Sequence, residues 1–180
     1  MTQKARVATA WLGGCSGCHM SIMDLDERLL ELAGKFDLVY SPIVDVKVYP
    51  ENVDVCLVEG AVCNEEHLHQ IRLIRERTRI LVSFGDCAVA GNVTAMRNVL
   101  GKAEPVLQRA YIENVTLKPQ LPCEPGIVPA LLDHVRPVHE VVPVDVHLPG
   151  CPPSADIIYF ALSELLAGRK PDLTGRLIYG

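Results

Sequence analysis

Short apolar runs, each stopping at a glycine or a turn and each followed by a helix-periodic segment, recur along the chain. This alternation restricts the fold more than any other feature of the sequence. Arg6 to Leu12 is the first run, ending at Gly13-Gly14, and Phe36 to Val44, Val53 to Val58, Ile80 to Phe84 and Glu140 to Leu148 are the next four. The third reads VDVCLV, unbroken in its apolar character as a strand covered on both faces should be. Between the runs, Ile22, Leu25, Leu29 and Leu32 recur at helical steps up to Gly34. Asn64 is placed to cap a second helix, with Glu65 and Glu66 at its positive end, Leu68, Ile71 and Ile74 on its buried face and Arg75 and Arg77 near its negative end. A third helix is expected from Cys87 through Leu100, and a fourth carries Ile158, Ala161, Leu162, Leu165 and Leu166 before Gly168.

Strands alternating with helices of this length require right-handed crossovers, hence a mostly parallel sheet with helices on both faces. The expected architecture is α/β, flavodoxin-like or Rossmann-like, in a single domain over residues 1–180. Residues 101–137, richer in proline and less periodic, are expected to form a long surface excursion. A net charge of -5 supplies no basic footprint for nucleic acid or an anionic membrane surface. No segment approaches the ~20 apolar residues of a membrane helix, and the N-terminus has no export signal, so the expected location is the cytoplasm.

Seven cysteines, odd in number and unevenly spaced, make a poor disulfide framework and point to metal or redox chemistry. Cys15 and Cys18 follow the first expected strand, Cys63 the third, Cys87 the fourth and Cys151 the fifth. In an open parallel sheet the loops after the strands gather at the carboxyl edge, where ligands bind, so these residues are expected to meet. Glycines in the same loops permit tight turns, helices starting just after Cys18, Cys87 and Cys151 would aim their positive ends at the same place, and Cys-Pro is a common neighbour of iron-sulfur ligands.

Cys15, Cys18, Cys87 and Cys151 would hold one 4Fe-4S cluster, and the remaining Cys56, Cys63 and Cys123 are too few for a second. Cys63 competes for a ligand role because it shares the edge; Cys56 reads as a buried thiol and Cys123 as a loop thiol. Two rival chemistries stay open. Cys15 and Cys18 with His134 and His139 match a zinc ligand list, though the halves are separated by more than the ~12 to 20 residues of a finger. CSGC after a strand also suits a thiol-disulfide exchanger. His67 and His69, two apart on a helix, read as surface residues. His19 is a candidate donor to a cluster sulfur, or plain packing. Glu59 and Asp86 stand at strand ends, where turn or capping roles come ahead of proton carriage.

Four segments, LGGCSGCHMSI, CLVEGAV, FGDCAVAGN and LPGCPPSADII, together resemble the small subunit of nickel-iron hydrogenases, in order over nearly the whole chain. The resemblance implies that Cys15, Cys18, Cys87 and Cys151 hold the proximal 4Fe-4S cluster. Brevity resembles the cytoplasmic NAD-reducing, bidirectional members, which lack the C-terminal domain of the periplasmic ones. Gly17 stands where oxygen-tolerant members carry an extra cysteine, and Ser16-Gly17 separates cysteines that are adjacent in the related subunit of respiratory complex I. The implied role is an electron relay with no catalytic residue of its own. Its implied partners are a large subunit with the nickel-iron centre, and diaphorase subunits carrying FMN and further iron-sulfur clusters on the way to NAD. No nucleic acid, membrane or FMN is expected to bind this chain.

Overall fold

The computed structural model describes residues 4–177. Among the described residues seven strands form: β1 (Ala5–Trp11), β2 (Phe36–Tyr40), β3 (Val53–Glu59), β4 (Val62–Asn64), β5 (Thr78–Phe84), β6 (Leu131–Arg136) and β7 (Val146–Leu148). Five of them make one sheet in the order β2-β1-β3-β5-β7, with every neighbouring pair parallel. Ranked along the chain within that sheet, this is the flavodoxin-like order, reversing between β1 and β3. The helices are α1 (Gly17–Met23), α2 (Arg28–Ala33), α3 (Glu65–Arg77), α4 (Asp86–Ala90), α5 (Asn92–Ala95), α6 (Glu104–Gln108) and α7 (Ala155–Leu166).

Successive strand residues point to opposite faces and so divide the core in two. Val7, Val55, Leu57, Val82 and Phe84 pack with Leu25 and Leu32 and with Ile158, Leu162 and Leu165 of α7. Ala8, Ala10, Cys56, Val58 and Leu81 pack on the other side with Ile71 and Ile74 of α3. Each fully buried Leu or Ile contributes about 1.5–3 kcal/mol. The expected cap on α3 is present, Asn64 Oδ1 accepting from the His67 N–H at 2.8 Å. Among the described residues no helix is long and apolar enough to cross a membrane.

Several expected elements are shorter or broken. The helix spanning Ile22 to Leu32 is split in two, because Asp26 turns into the left-handed region at φ 49°, which Asp enters more readily than most residues. The segment from Cys87 to Leu100 breaks at Gly91 and Asn92, both at positive φ, into α4, α5 and a 3-10 turn over Met96–Leu100. The second run stops pairing at Tyr40, just ahead of Ser41-Pro42. Of the fifth run only Val146–Leu148 joins the sheet; Val138–Glu140 is a 3-10 turn and Pro143 interrupts the rest. The excursion is partly ordered: it holds α6, a π-type turn over Arg109–Glu113, and β6, which pairs antiparallel with β4. β4 has three residues, too few to carry a period.

Candidate iron-sulfur site

Because the five strands run the same way, the carboxyl ends of β1, β3, β5 and β7 share one edge. The residues leaving them are Cys15 and Cys18, Gly60, Cys87, and Cys151. Cys18 and Cys87 are buried, each 8% exposed, while Cys15 and Cys151 are open to solvent. Burial pushes the Cys18 thiol well above the usual thiol range, and the charges of Glu59, Cys87, Cys15 and Cys151 push it further. Cys87 is pushed up to about 11, again first by burial, then by Cys15, Cys151, Glu59 and Asp86. Cys18 therefore lies within electrostatic reach of the other three sulfurs, and Cys87 within reach of those of Cys15 and Cys151.

Backbone and side-chain bonds fasten the loops to one another. Leu12 N donates to Glu59 O at 2.8 Å, Gly13 N to Ala61 O at 2.9 Å and Ala61 N to Gly13 O at 2.8 Å, clasping the first cysteine loop to the end of β3. Gly60 makes this close crossing possible: its φ is +87°, and a Cβ there would meet the Gly13 backbone at 2.8 Å. Asp86 joins the other two loops, its N–H donating to Gly150 O at 2.9 Å and its Oδ1 accepting from Gly150 N at 2.7 Å. Ser21 Oγ of α1 donates to Pro153 O at 2.6 Å, closing the ring of contacts. Gly85, at φ +83°, leaves the space that Cys18 Sγ fills, since a Cβ there would overlap that sulfur. Asn92 Nδ2 donates to Cys151 Sγ at 3.4 Å. This donor was not singled out from the sequence, where only its place in GDCAVAGN marked it.

The remaining candidates separate. Cys56 is fully buried in β3, its thiol pushed up to about 12 by burial. Cys123 is exposed in its loop. Cys63 donates its thiol to Ala61 O at 3.3 Å and packs under Gly13. His19 makes no bond to sulfur: Nδ1 pairs with Glu59 Oε2, and Nε2 bonds Thr9 Oγ1 at 3.0 Å. Glu59 closes β3 at the strand end expected of it, and at 1% exposed it is buried there and not part of a turn. His67 is half-buried, not on the surface, with its ring against the Cys63 N–H, and burial lowers its pKa. His139 stacks edge-on to His147, ring centroids 5.7 Å apart. Cys18 and Cys87 lie inside the first turns of α1 and α4, not ahead of them as expected, and both helices are short.

Four sulfur donors from three loops form a soft donor set suited to iron-sulfur chemistry. Burial and nearby negative charge keep the free Cys18 and Cys87 thiols protonated; cationic iron offsets both, since a coordinating thiol is deprotonated outright. Among the described residues no three His, Cys, Asp or Glu side chains converge closely enough to hold a single metal ion. A four-thiolate cluster asks for no such convergence, because its thiolates bind different iron atoms. A thioredoxin-type dithiol needs only the Cys15 and Cys18 pair, whereas here Cys87 and Cys151 stand at the same edge and both act on the Cys18 thiol.

Residues 15–165 match the family described as NADH ubiquinone oxidoreductase, 20 Kd subunit. The chain is similar to the delta subunit of the NAD-reducing hydrogenase HoxS of Cupriavidus necator, 43% identical over 174 residues that cover 94% of this chain and 82% of that one. It is also similar to a subunit of the F420-non-reducing hydrogenase of Methanothermobacter thermautotrophicus, 37% identical over 180 residues, 96% of this chain and 57% of that protein. The chain thus spans little more than half the length of that relative. A chain of the NAD+-reducing [NiFe]-hydrogenase in the H2-reduced state superposes with a TM-score of 0.93 at 44% identity, covering 99% of this chain and 100% of that one. A Ni-Fe-Se hydrogenase chain from Desulfomicrobium baculatum, with a TM-score of 0.54 at 18% identity over 92% of this chain and 62% of that one, shares the fold. The four-cysteine edge, the flavodoxin-like sheet and these likenesses lead to one assignment: the chain belongs to the NADH ubiquinone oxidoreductase, 20 Kd subunit, family and to the hydrogenase small subunits within it.

Proposed function

We propose that this chain is the electron-transfer small subunit of a cytoplasmic NAD-reducing nickel-iron hydrogenase, a single iron-sulfur-binding domain with Cys15, Cys18, Cys87 and Cys151 as its ligands. The observation that carries the reading is the gathering of these four thiols at one sheet edge, where Cys18 feels the other three and Cys87 feels Cys15 and Cys151. A 4Fe-4S cluster, when bound, supplies uptake and release of one electron at a time.

The chain's own residues hold and shield that centre. Cys18 and Cys87 place two sulfurs out of water, and Cys15 and Cys151 leave the opposite side open toward a partner. Asn92 donates to the Cys151 sulfur, a bond that stabilises negative charge on it. The Asp86–Gly150 pair and the Gly13–Ala61 clasp keep the loops in register as that charge changes. The nickel-iron centre is assigned to a partner large subunit, and FMN and further clusters to diaphorase subunits that pass electrons on to NAD.

Anaerobic purification with the subunits that co-elute, followed by iron and sulfide analysis and EPR with and without hydrogen, tests the reading. About four irons in this chain, with a reduced-cluster signal under hydrogen, are expected. An iron-free chain with freely titrating thiols after anaerobic reconstitution would sink it. Serine substitutions separate the thiol-exchange chemistry: Cys87→Ser and Cys151→Ser should fail as fully as Cys15→Ser and Cys18→Ser, whereas an exchanger would tolerate the first two.

A further inference from the structure

α1 begins without a cap of its own. Ser16, at the position where a side chain would accept from the first turn, is in the left-handed region at φ 66°, and its hydroxyl donates to Cys15 O at 2.6 Å instead. The N–H of His19, third residue of the helix, consequently lacks a local acceptor. Glu59 supplies one from the end of β3: its Oε2 accepts that N–H at 3.0 Å and pairs with the His19 Nδ1 as well.

This carboxylate is 1% exposed, and a buried carboxylate is costly unless its oxygens are bonded. Both bonds from His19 go to the same oxygen. The far side of the His19 ring is held too, Nε2 on Thr9 Oγ1 at 3.0 Å and Thr9 Oγ1 donating to Ser41 Oγ at 2.9 Å, with Thr9 and Ser41 7% and 4% exposed. A buried polar chain thus runs from β3 through α1 and β1 to the loop after β2. The residue it grips is the one next to Cys18.

We propose that Glu59 is a positioning residue for the cluster: it caps α1 from another strand through the backbone N–H and ring of His19, and so sets the place of Cys18. The inference rests on the iron-sulfur reading above. What the site requires at this position is a hydrogen-bond acceptor, not bulk.

Glu59→Gln keeps an acceptor and Glu59→Met keeps the length without one, so the pair separates positioning from core filling. Both are compared with the parent chain in the anaerobically purified complex by iron and sulfide content, by the rate of iron release to a chelator, and by the EPR line shape of the reduced state. The parent should hold about four irons, with Glu59→Gln releasing iron at nearly the parent rate. Glu59→Met should release it about tenfold to a hundredfold faster, the usual cost of losing a partner behind a metal ligand, with a broadened EPR signal. Should Glu59→Met fail to fold by circular dichroism, His19→Phe carries the test, since it keeps the ring's bulk and removes its donors; faster iron release is expected there also. Parent-like release and line shape in Glu59→Met, or in His19→Phe where that variant stands in, overturn the inference and leave the relay intact. A parent chain that takes up no iron overturns the relay, and the inference falls with it.

Discussion

A thiol reads its surroundings through how hard it is to ionise, and the cysteines here differ widely on that scale. In the metal-free protein Cys87, at about 11 against an ordinary 9.0, binds its proton more firmly folded than unfolded. The stability this contributes is present below about pH 9 and is lost as pH rises from about 9 to about 11. At pH 8 such a thiol is ionised to about one part in a thousand, and at pH 10 to about one part in ten. Alkylation followed by peptide mass spectrometry should therefore label exposed Cys123 quickly at pH 8 and Cys87 only as pH approaches 10. Equal rates for the two at pH 8 would contradict the burial of the site. Cys56 supplies the control: Cys56→Ser puts a hydroxyl into a fully buried strand and should cost about 1–3 kcal/mol in a urea melt, while iron content stays at the parent value. Cysteine placement was legible from the sequence, as was Glu59 at a strand end with a capping role, but neither the helix Glu59 reaches nor the bond from Asn92 was, since their partners lie 40 and 59 positions away.

At the scale of elements, the loops matter more than the helices they precede. The Asp86 carboxylate ties the Cys87 loop to the Cys151 loop by accepting from the Gly150 N–H at 2.7 Å, and Asn92 adds its bond to the Cys151 sulfur. Asp86→Ala leaves that N–H without its charged acceptor and should cost about 1.5–3 kcal/mol, read as a lower urea midpoint at unchanged slope, together with faster iron loss. Gly85→Ala combines a strained φ of +83° with a Cβ driven into the Cys18 sulfur. Its iron content should fall well below that of the parent even where circular dichroism shows a folded chain. Helix ends were the least legible elements, because positive-φ residues such as Asp26 and Asn92 break a periodic pattern without changing its apolar positions. β4 and β6 were missed for another reason: β4 has three residues, β6 buries only Val135 fully, and the two pair only with each other.

Across the whole molecule, the four cysteines join segments from residue 15 to residue 151, so a bound cluster would act as a cross-link over most of the chain. A cross-link closing a loop of that length restrains the unfolded chain by up to about 5 kcal/mol. For a chain of this size that corresponds to a midpoint shift of about 10 °C. Thermal melts of the anaerobic protein before and after chelation should differ by about this much, and Cys151→Ser should melt like the chelated parent. Indistinguishable melts before and after chelation would show that the loops are held by their own hydrogen bonds alone.

Alternating apolar runs and helical periods were enough, from the sequence alone, to determine a parallel α/β sheet and to send five cysteines to its carboxyl edge. Strand period and chain direction are local properties, and the parallel crossover has one favoured hand. Which thiols are buried, which of them feel one another, and that Cys63 turns to the Ala61 carbonyl were decided only in three dimensions. So was the meeting of Glu59 with His19. Burial and hydrogen-bond partnership depend on contacts between residues far apart in the chain, and no local pattern encodes the distance between two loops that only the sheet order brings together.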